Sequence, residues 1–348
     1  MSEHPFIAQA REVVGAANVL TQDLQAYAVD WKEKYHGQPL VVVRPGNTAE
    51  VSAVVKLCAQ HRLSIVPQGG NTGMCGAATP DDSGQQVIIT LGRLNKVRAV
   101  DPANNTMTVE AGCVLQTLQE TAQSVNRLYP LSVGSEGSCQ IGGNIATNAG
   151  GVQVLRYGNT RDLVLGLEVV LPSGEVLDML RGLRKDNTGY DLKHLFIGSE
   201  GTLGLITAAT LKLMPLPSAN AVGMVAVSSP AKAVELLQHM RDAMGERFSA
   251  FELMSSAIVE LTRRYFPALP QPFADPHDWY VLMEVADGGT DAALAADFQA
   301  ALEQALEREL VLDVVITQSQ AQAQALWELR DNVKIGRASC RERVSSPV

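Results

Sequence analysis

The sequence predicts an α+β protein of two domains, and three observations carry this prediction. The chain has 348 residues, and at ~150 residues per domain this length favours two domains over one. Short apolar runs of strand length alternate along the chain with amphipathic segments of helical period. After Pro215-Leu216-Pro217 this alternation changes its character, so we place the domain boundary there.

The composition excludes several classes of protein. Apolar residues make up 46% and charged residues 19% of the chain, which supports a buried core and argues against disorder. With 28 Lys and Arg against 37 Asp and Glu, the net charge of −9 argues against a nucleic-acid partner. An anionic small substrate stays compatible with this charge, because one or two local arginines can outweigh a diffuse negative field.

Three further features of the sequence predict a cytoplasmic location. No apolar stretch reaches the ~18 residues that a membrane span requires. The N-terminal segment MSEHPFIAQARE has neither the basic region nor the apolar core of an export signal. The five cysteines are dispersed and form no CxxC motif, which is typical of reduced thiols.

A helical lead-in is predicted at residues 1–34, followed by the first domain at residues 35–216. This domain opens with a β-α-β unit, whose helix begins at Asn47 as N-cap with Glu50 three residues on. The predicted elements are a strand at 39–43, the helix after 47, strands at 63–67, 87–91 and 106–110, a helix at 114–125, and strands at 163–171 and 202–213. The strand at 63–67 leads directly into a loop rich in glycine.

The second domain is predicted over residues 217–334 as a sheet with helices on one face. Its strands are predicted at 222–227, 248–254, 280–285 and 311–316, and its helices at 231–244, 256–266, 291–310 and 322–333. The last helix places Ala325, Leu326, Leu329 and Val333 on one face, and no C-cap signal follows it.

Residues 335–348 differ in character from the sequence that precedes them. The segment IGRASCRERVSSPV combines three arginines with a cysteine and lacks apolar periodicity. It resembles the translation of a sequencing adaptor read through the end of a gene fragment; the alternative is a genuine basic tail. We interpret it as a non-native tail and expect the second domain to be truncated at its C-terminus.

Glycines cluster in three loops of the first domain. The clusters are Gly69, Gly70, Gly73 and Gly76; Gly134, Gly137, Gly142, Gly143, Gly150 and Gly151; and Gly198, Gly201 and Gly204. Glycine lets backbone N–H groups approach a ligand, and successive N–H groups form an anion-binding nest. A single such loop would more often be an ordinary turn, but three with few charges favour a polar cofactor. Neither G-x-G-x-x-G nor G-x-x-x-x-G-K-[ST] occurs, so a dinucleotide would be bound in another way.

Four long segments carry a resemblance to a known family. They are VPQGGNTGMCG at 66–76, GSEGSCQIGGNIATNAGG at 134–151, LRYGNTRDLVLGLEVVLPSGEVL at 155–177 and LRKDNTGYDLKHLFIGSEGTLGLIT at 183–207. In this order they strongly resemble FAD-linked 2-hydroxy-acid dehydrogenases of the vanillyl-alcohol-oxidase superfamily, and most of all the D-2-hydroxyglutarate dehydrogenase branch. The resemblance covers roughly residues 30–330.

The resemblance implies a fold and a reaction. The fold would be a two-subdomain PCMH-type FAD-binding domain, followed by an incomplete α+β (ferredoxin-like) substrate domain. The reaction would be FAD-dependent oxidation of a D-2-hydroxy acid, above all D-2-hydroxyglutarate, with hydride transfer to flavin N5. The alternatives are a D-lactate or glycolate dehydrogenase or oxidase FAD subunit, or a flavin-binding fragment without turnover.

The resemblance also implies which residues bind FAD. Residues 67–73 would wrap the pyrophosphate, residues 134–151 would line the flavin, and residues 198–204 would complete the site. The implied contacts are Pro67, Gln68, Gly69, Gly70, Asn71, Thr72, Gly73, Pro130, Gly134, Ser135, Gly137, Ser138, Gly142, Gly143, Asn144, Thr147, Asn148, Gly150, Glu200, Gly201 and Ile206. Relatives with covalent flavin often carry a histidine in the first loop, and the asparagine found there implies non-covalent FAD.

Arg330 matches the arginine that relatives use for the substrate carboxylate, and the alternative is a surface arginine of a helix. Relatives carry a metal-binding H-x-G-D-G-N-x-H motif further on, whereas the six histidines here are dispersed. We therefore expect no metal ligands in this chain, although the intact parent could hold a divalent metal. The resemblance further implies an electron acceptor, either an electron-transfer flavoprotein or a quinone-linked one, and we expect a homodimer.

Overall fold

The computed structural model describes residues 3–332. The predicted non-native tail at 335–348 lies outside these residues. The chain divides into two compact units, Met1–Gly151 with Gly158–Pro215, and Val152–Tyr157 with Leu216–Val348. Between residues 3 and 332, no helix is both long enough and apolar enough to cross a membrane.

The first unit begins with a small mixed sheet. Its elements are α1 (Pro5–Val14), β1 (Val19–Leu20), α2 (Gln25–Ala28), β2 (Pro39–Val43), α3 (Thr48–His61), β3 (Ser64–Gln68) and β4 (Gln86–Thr90). The strand order is β1-β2-β4-β3, with β2 and β3 both parallel to β4. The predicted β-α-β unit is therefore present, with β4 inserted between its two strands. Asn47 caps α3 as predicted, because its side chain accepts the Glu50 N–H at 2.9 Å.

The predicted helical lead-in over residues 1–34 is not continuous, because strand β1 separates α1 from the short helix α2. Helix α1 ends at Gly15, whose φ of 83° cannot continue it. Val19 and Leu20 instead form β1 and pair with β2 in antiparallel register. Edge pairing with a neighbouring strand has thus overridden the local helical spacing.

A second sheet of the first unit is fully antiparallel. Its strands are β5 (Val97–Asp101), β6 (Thr106–Glu110), β8 (Val164–Val170), β9 (Val176–Met179) and β10 (Leu205–Lys212). The same part of the chain contains α4 (Leu115–Ser124), β7 (Arg127–Leu128), α5 (Ile141–Ala146), α7 (Lys193–Phe196) and β11 (Met214–Pro215). The strand order is β5-β6-β10-β8-β9, and β7 pairs separately with β11. The stretch between α5 and β8 contains α6 (Val154–Tyr157), which belongs to the second unit.

Helix α3 joins the two sheets of the first unit. The Thr48 hydroxyl donates to the Glu168 carboxylate of β8 at 2.7 Å, and the Ser52 hydroxyl donates to the carbonyl of Gly174. Glu168 also pairs with Arg98 of β5 at 3.1 Å. The unit therefore consists of two subdomains, as the resemblance implies.

The second unit is built on one antiparallel sheet. Its elements after α6 are β12 (Ala219–Val227), α8 (Pro230–Met244), β13 (Phe248–Ser255), α9 (Ser256–Tyr265), β14 (Trp279–Asp287), α10 (Asp291–Glu307), β15 (Asp313–Ile316) and α11 (Gln320–Asp331). The strand order β13-β14-β12-β15 is that of a ferredoxin-like β-α-β-β-α-β fold, with α9 added after the second strand. The implied α+β, ferredoxin-like architecture is confirmed.

The expectation that helices cover only one face of this sheet is wrong. Helices α8 and α10 pack on one face, where Leu236 and Phe298 are buried with Val281. Helices α9 and α11 pack on the other face, where Leu329 is buried with Leu282. Because consecutive positions of β14 are apolar, both faces of the sheet require cover.

Asn332 satisfies a carbonyl in the last described turn of α11. The backbone N–H of Asn332 donates to the carbonyl of Glu328 at 3.1 Å, and its side-chain amide donates to the same oxygen at 2.9 Å. Both bonds run to the residue four positions back, as in the body of a helix.

Candidate functional site

Two of the predicted glycine loops lie against each other in the first unit. A Cβ built at Gly70 would lie 2.1 Å from the carbonyl oxygen of Ser138. A Cβ at Gly69 would lie 3.7 Å from the backbone nitrogen of Gly143, at the start of α5. The loop after β3 therefore rests directly on the segment that leads into α5, and Gly70 is required by this packing.

The third glycine loop meets the other end of α5. The backbone N–H of Gly198 donates to Ile145 at 3.1 Å, and that of Glu200 donates to Ala146 at 2.9 Å. Glu200 has a φ of 51°, and a Cβ at Gly201 would lie 2.3 Å from the Pro67 ring. All three loops thus converge around one short helix.

Side-chain amides at the end of β3 and in the first loop fix that loop through hydrogen bonds to neighbouring backbone carbonyls. The amide of Gln68 is buried and donates to the carbonyls of Tyr27 (2.8 Å) and Ala78 (2.9 Å). Asn71 has a φ of 51°, and its amide donates to the carbonyl of Val29 at 2.9 Å. Within the part of the chain that the structure describes, no hydrogen bond uses the backbone N–H groups of residues 70–73. These groups are available to an anion.

Open space and unpaired polar atoms mark the same place. A Cβ at Gly73 or Gly143 would meet no atom within 4 Å. Gln140 Oε1 and Asn144 Oδ1 are buried and accept no hydrogen bond from any described residue. Buried polar atoms normally have partners, so these atoms favour a polar ligand. Gln140 was missed by the sequence reasoning, although it lies inside the second glycine segment.

Other predicted contact residues support the loops rather than project from them. The Thr147 hydroxyl donates to the Gly143 carbonyl at 2.9 Å, closing the end of α5. Asn148 has a φ of 47°, and its Oδ1 accepts the Arg161 N–H at 2.9 Å. Ile206 is buried within β10. These residues therefore shape the wall of the candidate site.

Arg330 lies in the second unit and is already paired. Its Nε and Nη2 each lie 2.9 Å from a Glu252 oxygen, and its Nη1 lies 3.0 Å from Asp331. Burial alone would lower the pKa of Arg330, but the two carboxylates raise it above its ordinary value. The guanidinium is therefore charged and is paired with carboxylates of its own unit.

The sequence reasoning did not single out Glu252, which pairs with Arg330, or Glu284 and Trp327, which are hydrogen-bonded to each other at 3.0 Å. Glu284 could have been noticed, because it is the single charged residue within the apolar strand at 280–286. Among the residues from 3 to 332, no group of His, Cys, Asp or Glu side chains has an arrangement that could hold a metal ion.

The paired subdomains and the converging loops define an FAD-binding flavoprotein. Residues 39–180 match the family described as "FAD binding domain", and residues 216–340 match "FAD linked oxidases, C-terminal domain". The chain belongs to the family of FAD-linked 2-hydroxy-acid dehydrogenases.

Curated relatives support this membership. A protein of Oryza sativa subsp. indica named "Probable D-2-hydroxyglutarate dehydrogenase, mitochondrial" is 42% identical over 93% of this chain and 58% of its own length. A D-2-hydroxyglutarate dehydrogenase of Xanthomonas citri pv. viticola is 39% identical over 94% of this chain and 68% of its own length. The solved structure of p-cresol methylhydroxylase shares the fold, with a TM-score of 0.73 at 20% identity over 92% of this chain and 68% of that one.

Two consequences follow from these relatives. The chain spans 58% of the length of the first curated relatives that it matches. The cytoplasmic location predicted from the sequence is wrong, because these relatives are named as mitochondrial proteins. The absence of a recognisable leader and the scattered cysteines were insufficient grounds, since they do not distinguish the cytoplasm from other reducing compartments.

Proposed function

We propose that this chain carries the flavin-binding part of an enzyme that oxidises a D-2-hydroxy acid, preferably D-2-hydroxyglutarate, to the 2-oxo acid. The observation that carries the proposal is the 42% identity, over 93% of the chain, to a relative named for this reaction. The chemistry that bound FAD supplies is two-electron oxidation of an alcohol. The chain itself must bind the cofactor and orient the acid.

In this proposal the first loop binds the FAD pyrophosphate. The N–H groups of residues 70–73 are free to donate to phosphate oxygens. Gly73 leaves the approach open, and Asn71 fixes the loop from behind through the carbonyl of Val29. The orphaned oxygens of Gln140 and Asn144 are acceptors for hydroxyl or imide N–H groups of the same cofactor.

We also propose that the FAD is non-covalent. Residues 67–73 contain no histidine and no cysteine that could bond to the flavin ring. Acid precipitation of the loaded protein should therefore release all the yellow colour into the supernatant. Flavin that stays in the pellet would contradict this part of the proposal.

Arg330 is proposed to bind the substrate carboxylate. Its guanidinium already pairs with the carboxylate of Glu252, and this pairing supports the proposal. The incoming acid would replace or share this partner. The charge of Arg330 is secure at any working pH, since both neighbouring carboxylates raise its pKa.

The reduced flavin must then pass its electrons to a separate acceptor, because the relatives are named dehydrogenases. We propose an electron-transfer flavoprotein or a quinone-linked acceptor, and a homodimer as the working assembly. Light scattering of the purified protein tests the dimer, and reoxidation of the reduced flavin by each acceptor tests the acceptor.

The experiment that tests the activity is anaerobic flavin reduction. The FAD-loaded chain is mixed with D-2-hydroxyglutarate, L-2-hydroxyglutarate, D-lactate or glycolate, and the visible flavin absorbance is followed. We expect the fastest loss of colour with D-2-hydroxyglutarate and none with its L-enantiomer. Faster bleaching by D-lactate or glycolate would reassign the substrate. Bound flavin that stays oxidised with every acid would indicate a flavin-binding fragment without turnover.

A further inference from the structure

The second unit buries one carboxyl group that the proposed function has not used. Glu284 lies inside β14 and is only 9% exposed. Its Oε1 accepts hydrogen bonds from the Ser249 hydroxyl at 3.1 Å and from the Gln153 amide at 3.4 Å. Its Oε2 accepts a 3.0 Å hydrogen bond from the indole N–H of Trp327. One carboxyl group therefore connects the start of α6, β13 and α11 to β14.

The surroundings of Glu284 favour its neutral form. Burial raises the pKa of Glu284, and its hydrogen bonds offset only part of this effect. The positive charge of Arg156 acts in the opposite direction, but that guanidinium donates to the carbonyl of Ala286. The Ser249 hydroxyl also lies 3.0 Å from the Glu284 carbonyl. It can therefore donate there and accept from a protonated Glu284, which leaves every polar atom of the group paired.

Trp327 and Arg330 are one helical turn apart on α11, so they lie on the same side of that helix. The apolar contacts of Leu326 and Leu329 hold α11 against the sheet, but apolar packing has no preferred direction. The indole bond to Glu284 is directional, so it constrains the rotation of the helix about its axis more closely than the apolar contacts do. This bond therefore acts together with the direct pairs to Glu252 and Asp331 in orienting the Arg330 guanidinium.

We propose that Glu284 is a positioning residue for the oxidation of the hydroxy acid. Through the indole of Trp327 it holds α11 at the rotation that presents Arg330 to the substrate carboxylate. This inference rests on the proposed function, and it adds Glu284 and Trp327 to the residues that set the affinity for the acid.

The test uses the FAD-loaded full chain and four variants. Trp327→Phe keeps an aromatic ring but removes the indole N–H, and Trp31→Phe is the matched control at an exposed tryptophan of the first unit. Glu284→Leu removes every hydrogen bond of the carboxyl group. Glu284→Gln can accept from Trp327 and donate to Ser249, as the neutral acid does.

For Trp327→Phe we expect the KM for D-2-hydroxyglutarate to rise about tenfold, as for one lost hydrogen bond to a buried acceptor. The kcat and the flavin content should change much less. Glu284→Leu should raise KM at least as much, Glu284→Gln should recover most of that loss, and Trp31→Phe should match the parent protein. Lower thermal stability with an unchanged KM in Trp327→Phe would show a merely structural contact and overturn the proposal.

A second measurement does not depend on turnover. Phenylglyoxal modifies accessible arginines, and mass spectrometry gives its rate at Arg330. If α11 is no longer held at one rotation about its axis, Arg330 separates from Glu252 and becomes more accessible. The modification rate should then rise severalfold in Trp327→Phe but not in Trp31→Phe. An unchanged rate would overturn the proposal even if the chain showed no turnover. Absence of turnover with a raised rate would instead count against the proposed function alone.

Discussion

Gly70 and Gly73 belong to the same loop, yet a side chain would meet different neighbours at the two positions. At Gly70 a Cβ would lie 2.1 Å from the Ser138 carbonyl, so the protein itself requires glycine there. At Gly73 a Cβ would meet no atom of the protein within 4 Å. The sequence alone treated both as ligand-facing, because a glycine motif does not reveal which neighbour excludes the side chain.

This difference yields a test of where FAD lies. Gly73→Ala should leave the thermal stability of the apoprotein unchanged but weaken FAD binding by about tenfold or more, because its methyl group enters only the space left for the cofactor. Titration of apoprotein with FAD, followed by flavin fluorescence, measures the affinity. Gly70→Ala is the comparison, and it should destabilise the apoprotein itself. Unchanged FAD affinity in Gly73→Ala would remove this loop from the cofactor site.

Arg330 gives the second prediction at the scale of residues. Arg330→Ala should lower kcat/KM for the hydroxy acid, with a loss of transition-state stabilisation of about 2–4 kcal/mol, because a desolvated carboxylate loses its charged partner. FAD content should stay the same, since all the candidate cofactor residues belong to the first unit. Asp331→Asn removes the other, more exposed partner of Arg330 and serves as control. An Arg330→Ala enzyme with normal kcat/KM would indicate an ordinary helix arginine paired to Glu252.

Among the elements, those with strong local signals were predicted well. Strand β6 alternates between two turn signals and was predicted residue for residue, and α8 follows a clear N-cap at Ser229. Strands β5 and β9 were missed, because they form the edges of their sheet and carry exposed polar residues. Their strand character comes from pairing with β6 and β8, which no local pattern can show.

The candidate site shows the same division between local and long-range information. The glycine segments were visible in the sequence, but α5 was not, since two adjacent glycines disfavour a helix. This helix is nevertheless the element around which the three loops converge. Glu252 lies 78 residues from Arg330 in the sequence, and Trp327 lies 43 residues from Glu284, so these two pairings required the fold.

The junction of α3 with the five-stranded sheet gives a pH-dependent prediction. Burial alone would raise the pKa of Glu168, but hydrogen bonds from Arg98, Thr48 and Thr207 lower it below its ordinary value of 4.5. A depressed carboxyl pKa adds stability above the unfolded value, and this stability is lost as pH falls through the folded value. The junction should therefore weaken below about pH 4.5.

Glu168→Gln tests this junction. It should lower the free energy of unfolding by about 1 kcal/mol at neutral pH, allowing for partial solvent screening. The difference from the parent protein should shrink as the pH falls below the range in which Glu168 is charged. Urea unfolding at a series of pH values measures it, with Glu12→Gln on the exposed side of α1 as control. A pH-independent difference would mean that the charge of Glu168 is immaterial.

At the scale of the whole molecule, the candidate FAD contacts belong to the first unit and the apolar core around Phe298 belongs to the second. Every candidate FAD contact lies in Met1–Gly151 or Gly158–Pro215, whereas Phe298 and its apolar neighbours belong to the second unit. A ligand stabilises only the state that binds it, by about 2.7 kcal/mol at 100 times its Kd. FAD should therefore raise the stability of the first unit directly, and that of the second only as far as the two unfold together.

Calorimetry of the intact chain can separate these effects. We expect two transitions, of which FAD raises one, while Phe298→Ala lowers the other, since it removes a fully buried ring at a cost of about 3–5 kcal/mol. The FAD shift should persist undiminished in Phe298→Ala, because the cavity lies outside every cofactor loop. A single transition that responds to both changes would show that the units unfold as one. FAD stabilisation that disappears with the cavity would mean that the second unit takes part in holding the cofactor.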